Sequence, residues 1–276
     1  MELLQTLERV LANLGIRTDI TVFFAMFGLV VARLATAISL SPFLGGMSVP
    51  ARVKVGLAVL VATLLYPGIA AREAGQEVAS LLFVALLVKE VMIGATIGFV
   101  SQLVFFAVQM AGTVIDTQRG MNQITYLAPQ LQGHTSAIGI LKLQAALVVF
   151  FILGGHLLFL RALSDSYEMV PVASFPQFQS GLLRLMEQAA RLTAETLVIA
   201  LQLSAPVLVA LFLVDVAFGA IGKVTPQLNV HNESQPVKSL VGLALVFLTV
   251  ALILDRLKVY LAEMIQNVYS VMKTFA

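Results

Sequence analysis

The stretch VASLLFVALLVKEVMIGATIGFVSQLVFFAVQMAGTVI, Val78–Ile115, decides the fold. It holds two charges, Lys89 and Glu90, in an otherwise apolar run. A membrane-crossing helix needs about 20 apolar residues, so this run is far too long for one upright span. It reads as two helices or one long bent helix. Glu90, Gly94 and Gly98 recur every four residues and therefore share one helical face. Two glycines on such a face let a neighbouring helix approach closely. Lys89 and Glu90 are adjacent and point about 100° apart on the helix, so they are not expected to face one partner.

Shorter runs flank this one. Ile20–Leu44, Val55–Ala71, Ile138–Leu160, Thr196–Ile221 and Leu240–Leu254 are each apolar enough to be a hydrophobic helix. The expectation is an all-α, multi-helix membrane protein with about six or seven hydrophobic helices. The simplest parse is one membrane domain over residues 20–255. An amphipathic helix precedes it over 1–19, where Leu3, Leu4, Leu7, Val10, Leu11 and Leu14 fall at helical spacing. A C-terminal helix follows over 256–276, and a surface helix is expected near Leu182–Leu192.

Composition agrees with this parse. Hydrophobic residues make up 59% of the 276 and charged residues 12%, against roughly 25% charged in soluble domains. Mean hydropathy is +0.95. That much apolar surface needs lipid or an apolar partner to cover it. The net charge of +2 comes with no basic stripe, so nucleic-acid binding has no support. Cysteine is absent, which removes disulfides and thiolate metal sites.

The turns are informative. Pro42-Phe-Leu-Gly-Gly-Met-Ser-Val-Pro50 is a stiff loop bracketed by prolines, and Tyr66-Pro-Gly68 ends the second helix. Gly112 to Thr135 is polar for its surroundings, as is Pro226 to Pro236. Six charged residues lie in or beside apolar helices: Arg33, Lys89, Glu90, Lys142, Glu195 and Asp215. Each would cost roughly 2.5–3.5 kcal/mol at a helix centre in lipid, so each should face protein or water. For Glu90 two readings stand level: a contact between helices or subunits beside a passage, and a buried ion pair that sets helix register. Asp215 reads first as a carboxylate serving a helix end or Lys223, and second as a proton relay.

Catalytic signals are missing. His134, His156 and His231 have no metal-ligand spacing, and there is no G-x-S-x-G, P-loop or G-x-G-x-x-G. No cofactor is expected, and energy coupling by a nucleotide has no motif here.

Four stretches in order resemble one family. They are Pro42–Pro50 with Arg52 and Lys54; Glu90-x3-Gly94-x3-Gly98-Phe99 leading to Ala111-Gly-Thr-Val-Ile-Asp-Thr-Gln-Arg-Gly120; Gly154-Gly-His156 with Ser166-Tyr167 and Pro171-Val172; and Thr225-Pro-Gln-Leu-Asn-Val230 closed by Gln235-Pro-Val-Lys238. Together they resemble the FliR/SctT family, an export-gate subunit of flagellar and virulence type III secretion. The form Ile115-Asp116-x-Gln118-Arg119-Gly120 and the pair Ser166-Tyr167 look more like the virulence branch. The chain departs from the family pattern at His231-Asn232-Glu233-Ser234.

The resemblance implies a non-enzymatic structural and gating subunit, built of helical hairpins, in a helical export gate for unfolded proteins. It implies FliP/SctR-like and FliQ/SctS-like partners, contact with the large export-gate and switch subunits, and contact with membrane lipid. It places the chain in the bacterial inner membrane within the secretion-system basal body. It also implies a channel plug near 112–126, comprising Gly112, Ile115, Asp116, Gln118, Arg119, Gly120, Met121, Asn122, Ile124 and Tyr126. Contacts between helices or subunits are expected at Lys89, Glu90, Gly94, Gly98, Asp215, Pro226, Gln227, Asn229 and Lys238. The competing reading is a secondary transporter of a small solute that couples to protons through Asp215 or Glu90.

Overall fold

A computed structural model describes residues 20–46, 49–73, 80–121, 136–176, 181–225 and 229–275. The amphipathic helix expected over 1–19 lies outside the described residues. Seven helices follow one another among those described: α1 (Ile20–Leu40), α2 (Ala51–Arg72), α3 (Ser80–Gln118), α4 (Ala137–Ile152), α5 (Gly155–Met169), α6 (Gly181–Val224) and α7 (Val230–Met272).

The quoted run forms one helix, α3, of 39 residues. At 1.5 Å per residue it extends about 58 Å, nearly twice the roughly 30 Å hydrocarbon layer of a bilayer. Over its apolar window 61% of residues are buried inside the chain itself, so protein rather than lipid covers most of it. The expected surface helix near 182–192 is the first part of α6, and residues 256–272 lie in the last part of α7, beyond a 61° bend between Val250 and Ile253. Short polar runs beside long apolar ones did not end these helices, because no Gly-Pro pair or cap intervenes. Among the described residues four helices are long and apolar enough to cross a membrane, and counting each of two broken pairs as one span raises that to six.

The chain divides into two compact units. The first comprises residues up to Gln102, His156–Ala189 and Met264–Ala276; the second comprises Leu103–Gly155 and Ala190–Glu263. In the first, α1 has a deeply buried face, with Leu29, Val30, Arg33, Leu34, Ala37 and Ile38 all fully buried. Its end is closed by residues 41–46. Ser41 Oγ donates to the Ile38 carbonyl at 2.9 Å, and the Ser41 carbonyl accepts from Gly45 N–H at 2.8 Å. A Cβ at Gly45 would sit 2.0 Å from the Ile38 carbonyl oxygen, so only glycine fits this fold-back. In the second unit, Ile115, Ile138, Val207, Leu211 and Val246 form a core from α3, α4, α6 and α7.

Candidate functional site

In the first unit the expected contact face Glu90–Gly94–Gly98 meets α1. A Cβ at Gly94 would lie 2.0 Å from Thr36 Oγ1 and 2.3 Å from the Arg33 carbonyl oxygen; one at Gly98 would lie 2.7 Å from Leu40 Cβ. The helices are close enough there for Arg33 to grip Glu90. Nε donates to Oε2 at 2.5 Å and Nη2 to Oε1 at 2.8 Å. Nη1 donates to Ser166 O at 2.8 Å and Ser166 Oγ at 3.1 Å, and Nη2 to Val170 O at 2.9 Å. All five guanidinium donors are thereby used. The Arg33 Cζ also sits 4.2 Å from the Tyr167 ring centroid, a cation–π contact, and Tyr167 Oη donates to Val30 O at 2.9 Å.

Lys89 and Glu90 converge, contrary to the expectation from their angular separation. The long lysine stem bends so that Nζ reaches Glu90 Oε1 at 2.7 Å. Nζ also donates to Pro171 O at 2.8 Å, Val172 O at 2.7 Å and Ser174 O at 3.0 Å. From the other side, Glu73 accepts Val172 N–H at 2.7 Å and Ala173 N–H at 2.8 Å. The segment after α5 is thus held through its carbonyls by two cations and through its amides by one carboxylate. The Glu90 contact in this chain runs between helices of one unit.

In the second unit, α3 ends in a defined motif. Gly120 has φ of +78°. Met121 N–H donates to Asp116 O and Gly120 N–H to Thr117 O, each at 3.1 Å, the two bonds of a Schellman cap. Gly112, Ile115, Asp116 and Gln118, expected in the plug loop, are therefore helical. Apolar residues continue the helical repeat through Ile115, and the cap falls where glycine permits it. Ile115 is fully buried in the core, so it does not face a passage. Gly112 serves close approach rather than backbone freedom: a Cβ there would lie 2.4 Å from Gly139 Cα on α4.

The cap is bolted to its neighbours. Asp116 Oδ1 accepts Arg119 Nη1 at 2.9 Å. Its Oδ2 accepts Ser136 Oγ at 2.5 Å and Ile138 N–H at 3.0 Å, so the carboxylate sits on the N-terminus of α4, where the helix dipole favours an anion. Ser136 Oγ in turn accepts Gly139 N–H at 2.8 Å, capping α4. Arg119 crosses to α7, donating from Nε to Ser239 O at 3.2 Å and from Nη2 to Ser239 O at 3.0 Å and Oγ at 3.1 Å. Its stem lies where a Cβ on Gly242 would be, 2.6 Å from Cδ. Gln235, on the same face of α7, presses against Gly120.

Asp215 pairs with Lys238 rather than with Lys223, because α7 places Lys238 beside α6 while Lys223 is exposed at the end of α6. Gln118 Nε2 adds a bond to Asp215 at 3.2 Å. Asn229 starts α7, its carbonyl accepting Asn232 N–H at 3.0 Å and Glu233 N–H at 3.1 Å. Asn122, Ile124 and Tyr126 of the expected plug, and Pro226 and Gln227 of the expected contacts, lie outside the described residues. No group of three or more metal-ligating side chains occurs among the described residues.

Ser136, Ser239 and Gly242 were not singled out from sequence, since serine and glycine carry no signal of their own. Arg33 and Lys142 did carry one, a charge inside an apolar helix.

Comparison with known proteins follows the same lines. The profile of the bacterial export proteins, family 1, matches residues 24–264. Yop proteins translocation protein T of Yersinia pestis is 34% identical over 187 residues, which is 68% of this chain and 70% of that protein. The flagellar biosynthetic protein FliR of Bacillus subtilis is 30% identical over 234 residues, 83% of this chain and 88% of FliR. The secretion system apparatus protein SsaT of Salmonella typhimurium is 33% identical over 161 residues, 58% of this chain and 61% of SsaT.

Proposed function

The chain belongs to the bacterial export proteins, family 1, as a structural subunit of the type III export gate, and we propose that it carries the segment that closes that gate. The observation that supports this is the anchored cap at Arg119–Gly120. A chain segment that plugs a passage needs a fixed root, and here the root is tied to α4 through Asp116 and to α7 through Ser239. Met121, Ile124 and Tyr126 follow it, with side chains apolar or adaptable enough to seal a pore by packing and dewetting.

The partners in this reading are FliP/SctR-like and FliQ/SctS-like subunits in the bacterial inner membrane, and the cargo is unfolded protein. The need for partners is physical. Only 28% of the apolar window of α6 is buried within the chain, and Leu201, Val209, Phe212, Leu213 and Val224 are exposed along it. The subunit is non-enzymatic in this reading: it supplies walls and a stopper.

The test is deletion of residues 122–126, which leaves the root intact, in the native complex. Membranes carrying the assembled variant should pass small solutes that wild-type membranes retain, and the variant should still co-purify with two small apolar partner subunits. A membrane as tight as wild type would refute the closure.

A further inference from the structure

Lys142 is a buried cation with nothing to hold. It lies on α4 at 6% exposure, and its Nζ has no hydrogen-bond partner. An ammonium has three donors, and stranding it among apolar side chains is unfavourable. A buried polar group of this kind calls for a reason.

Its position supplies one. Lys142 follows Ile138 by four residues, so the two share a face of α4. Long side chains on a helix lean toward its N-terminus. At that end Asp116 sits, bonded to Ile138 N–H and Ser136 Oγ, and its charge reaches Lys142. A carboxylate has about four lone-pair positions. Three are taken, by Arg119, Ser136 and Ile138.

We propose that Lys142 is the reserve counter-ion of Asp116, which takes over the carboxylate when Arg119 is released. Arg119 bridges Asp116 and Ser239 and so ties α3 to α7. Releasing it without a substitute would leave Asp116 buried without the cation bonded to it, held by the neutral Ser136 and Ile138 donors. Lys142 lies one helical turn along α4 from the Ile138 amide that Asp116 accepts, so in this proposal the exchange is a change of side-chain partner and needs no new chain fold. One carboxylate with two competing cations is a two-state element. The Asp116–Arg119 state seals the root, and the Asp116–Lys142 state lets it shift while α4 keeps its cap. This rests on the reading of the gate's closing segment given above.

The test uses Lys142→Met and Lys142→Arg in the complete export complex in its native membrane, with Arg119→Met beside them. Three quantities are read: co-purification with partner subunits, leak of a small solute, and secretion of an exported protein. Lys142→Met should assemble and remain as tight as wild type, yet secrete at least tenfold less. Lys142→Arg should restore most secretion. Arg119→Met should show the opposite split, with leak. Wild-type secretion by Lys142→Met, leak from it, or failure of Lys142→Arg to rescue would overturn the proposal. Failure of Lys142→Met to assemble would also overturn it, since removing an unbonded charge from an apolar helix relieves a penalty. A tight membrane after deletion of 122–126 would instead sink the closure reading itself, which the Lys142 variants leave untouched.

Discussion

Arg33 and Glu90 meet as a two-point fork, Nε to Oε2 at 2.5 Å and Nη2 to Oε1 at 2.8 Å, with both side chains wholly buried. Fifty-seven residues separate them in the chain. The pair joins α1 to α3 and, through the remaining Arg33 donors, to the end of α5.

Breaking the fork from one side should be severe. Glu90→Gln leaves a buried guanidinium and the Lys89 ammonium without their carboxylate, a loss expected at about 3–5 kcal/mol. Folded yield and protease resistance of the detergent-purified chain should both fall. Arg33→Met with Glu90→Met should recover part of this, since replacing both charges removes the stranded one. Recovery stays incomplete because the Ser166 and Val170 carbonyls and Lys89 still lose partners. A double variant no better than Glu90→Gln would show that the fork is not the coupling between the two positions.

The glycines of α1 and α3 give a sharper contrast, since helix propensity alone predicts gain from Gly→Ala at all of them, up to about 1 kcal/mol. At Gly28 nothing lies within 4 Å of the added Cβ, and that gain should appear as a raised melting temperature of the purified chain. At Gly94 the same atom meets backbone and Thr36 at 2.3 Å and 2.0 Å, so α1 and α3 must separate. Overpacking of this sort costs typically 1–3 kcal/mol, and the Arg33–Glu90 fork would be stretched as well. Equal effects at Gly28 and Gly94 would contradict the packing described.

Much of this was legible in residue order, and the rest was hidden for identifiable reasons. Hydrophobic runs placed the helices, and the four-residue spacing of Glu90, Gly94 and Gly98 marked a face for close approach. The exit of α3 was misplaced, because polar Asp116 and Gln118 suggest a loop although the helical repeat runs on to the Gly120 cap. The convergence of Lys89 with Glu90 was missed because angular position describes Cβ directions, and a four-carbon stem reaches past them. Partners such as Ser166, Ser239 and Lys238 come from distant helices, and no local periodicity reports which distant helices meet.

Glu73 offers a test of the clamp around the segment after α5. Its carboxylate takes the Val172 and Ala173 amides at 2.7 Å and 2.8 Å, while Lys89 takes the neighbouring carbonyls. Bonds to a charged acceptor are worth roughly 1.5–3 kcal/mol. Glu73→Gln keeps one acceptor oxygen and removes the charge, so hydrogen exchange at Val172 and Ala173 should quicken about tenfold or more. Exchange at the helical amides around Leu163 should stay unchanged. Uniform acceleration across both regions would mean that Glu73 supports the unit as a whole rather than this segment.

The cap at Gly120 combines two constraints that can be separated. An L-residue in the left-handed region is disfavoured by roughly 1–2 kcal/mol, and a Cβ at Gly120 would additionally lie 1.7 Å from Gln235 Oε1. Gly120→Ala should therefore destabilise by more than the backbone term alone, read as a lowered melting temperature of the purified complex. Gln235→Ala added to it should return the steric part and leave the backbone part. If Gly120→Ala is neutral, the Schellman geometry at the end of α3 is wrong, and with it the fixed root on which a closing segment depends. If Gln235→Ala gives no relief, the backbone term stands and only the packing of α7 against the cap is in error.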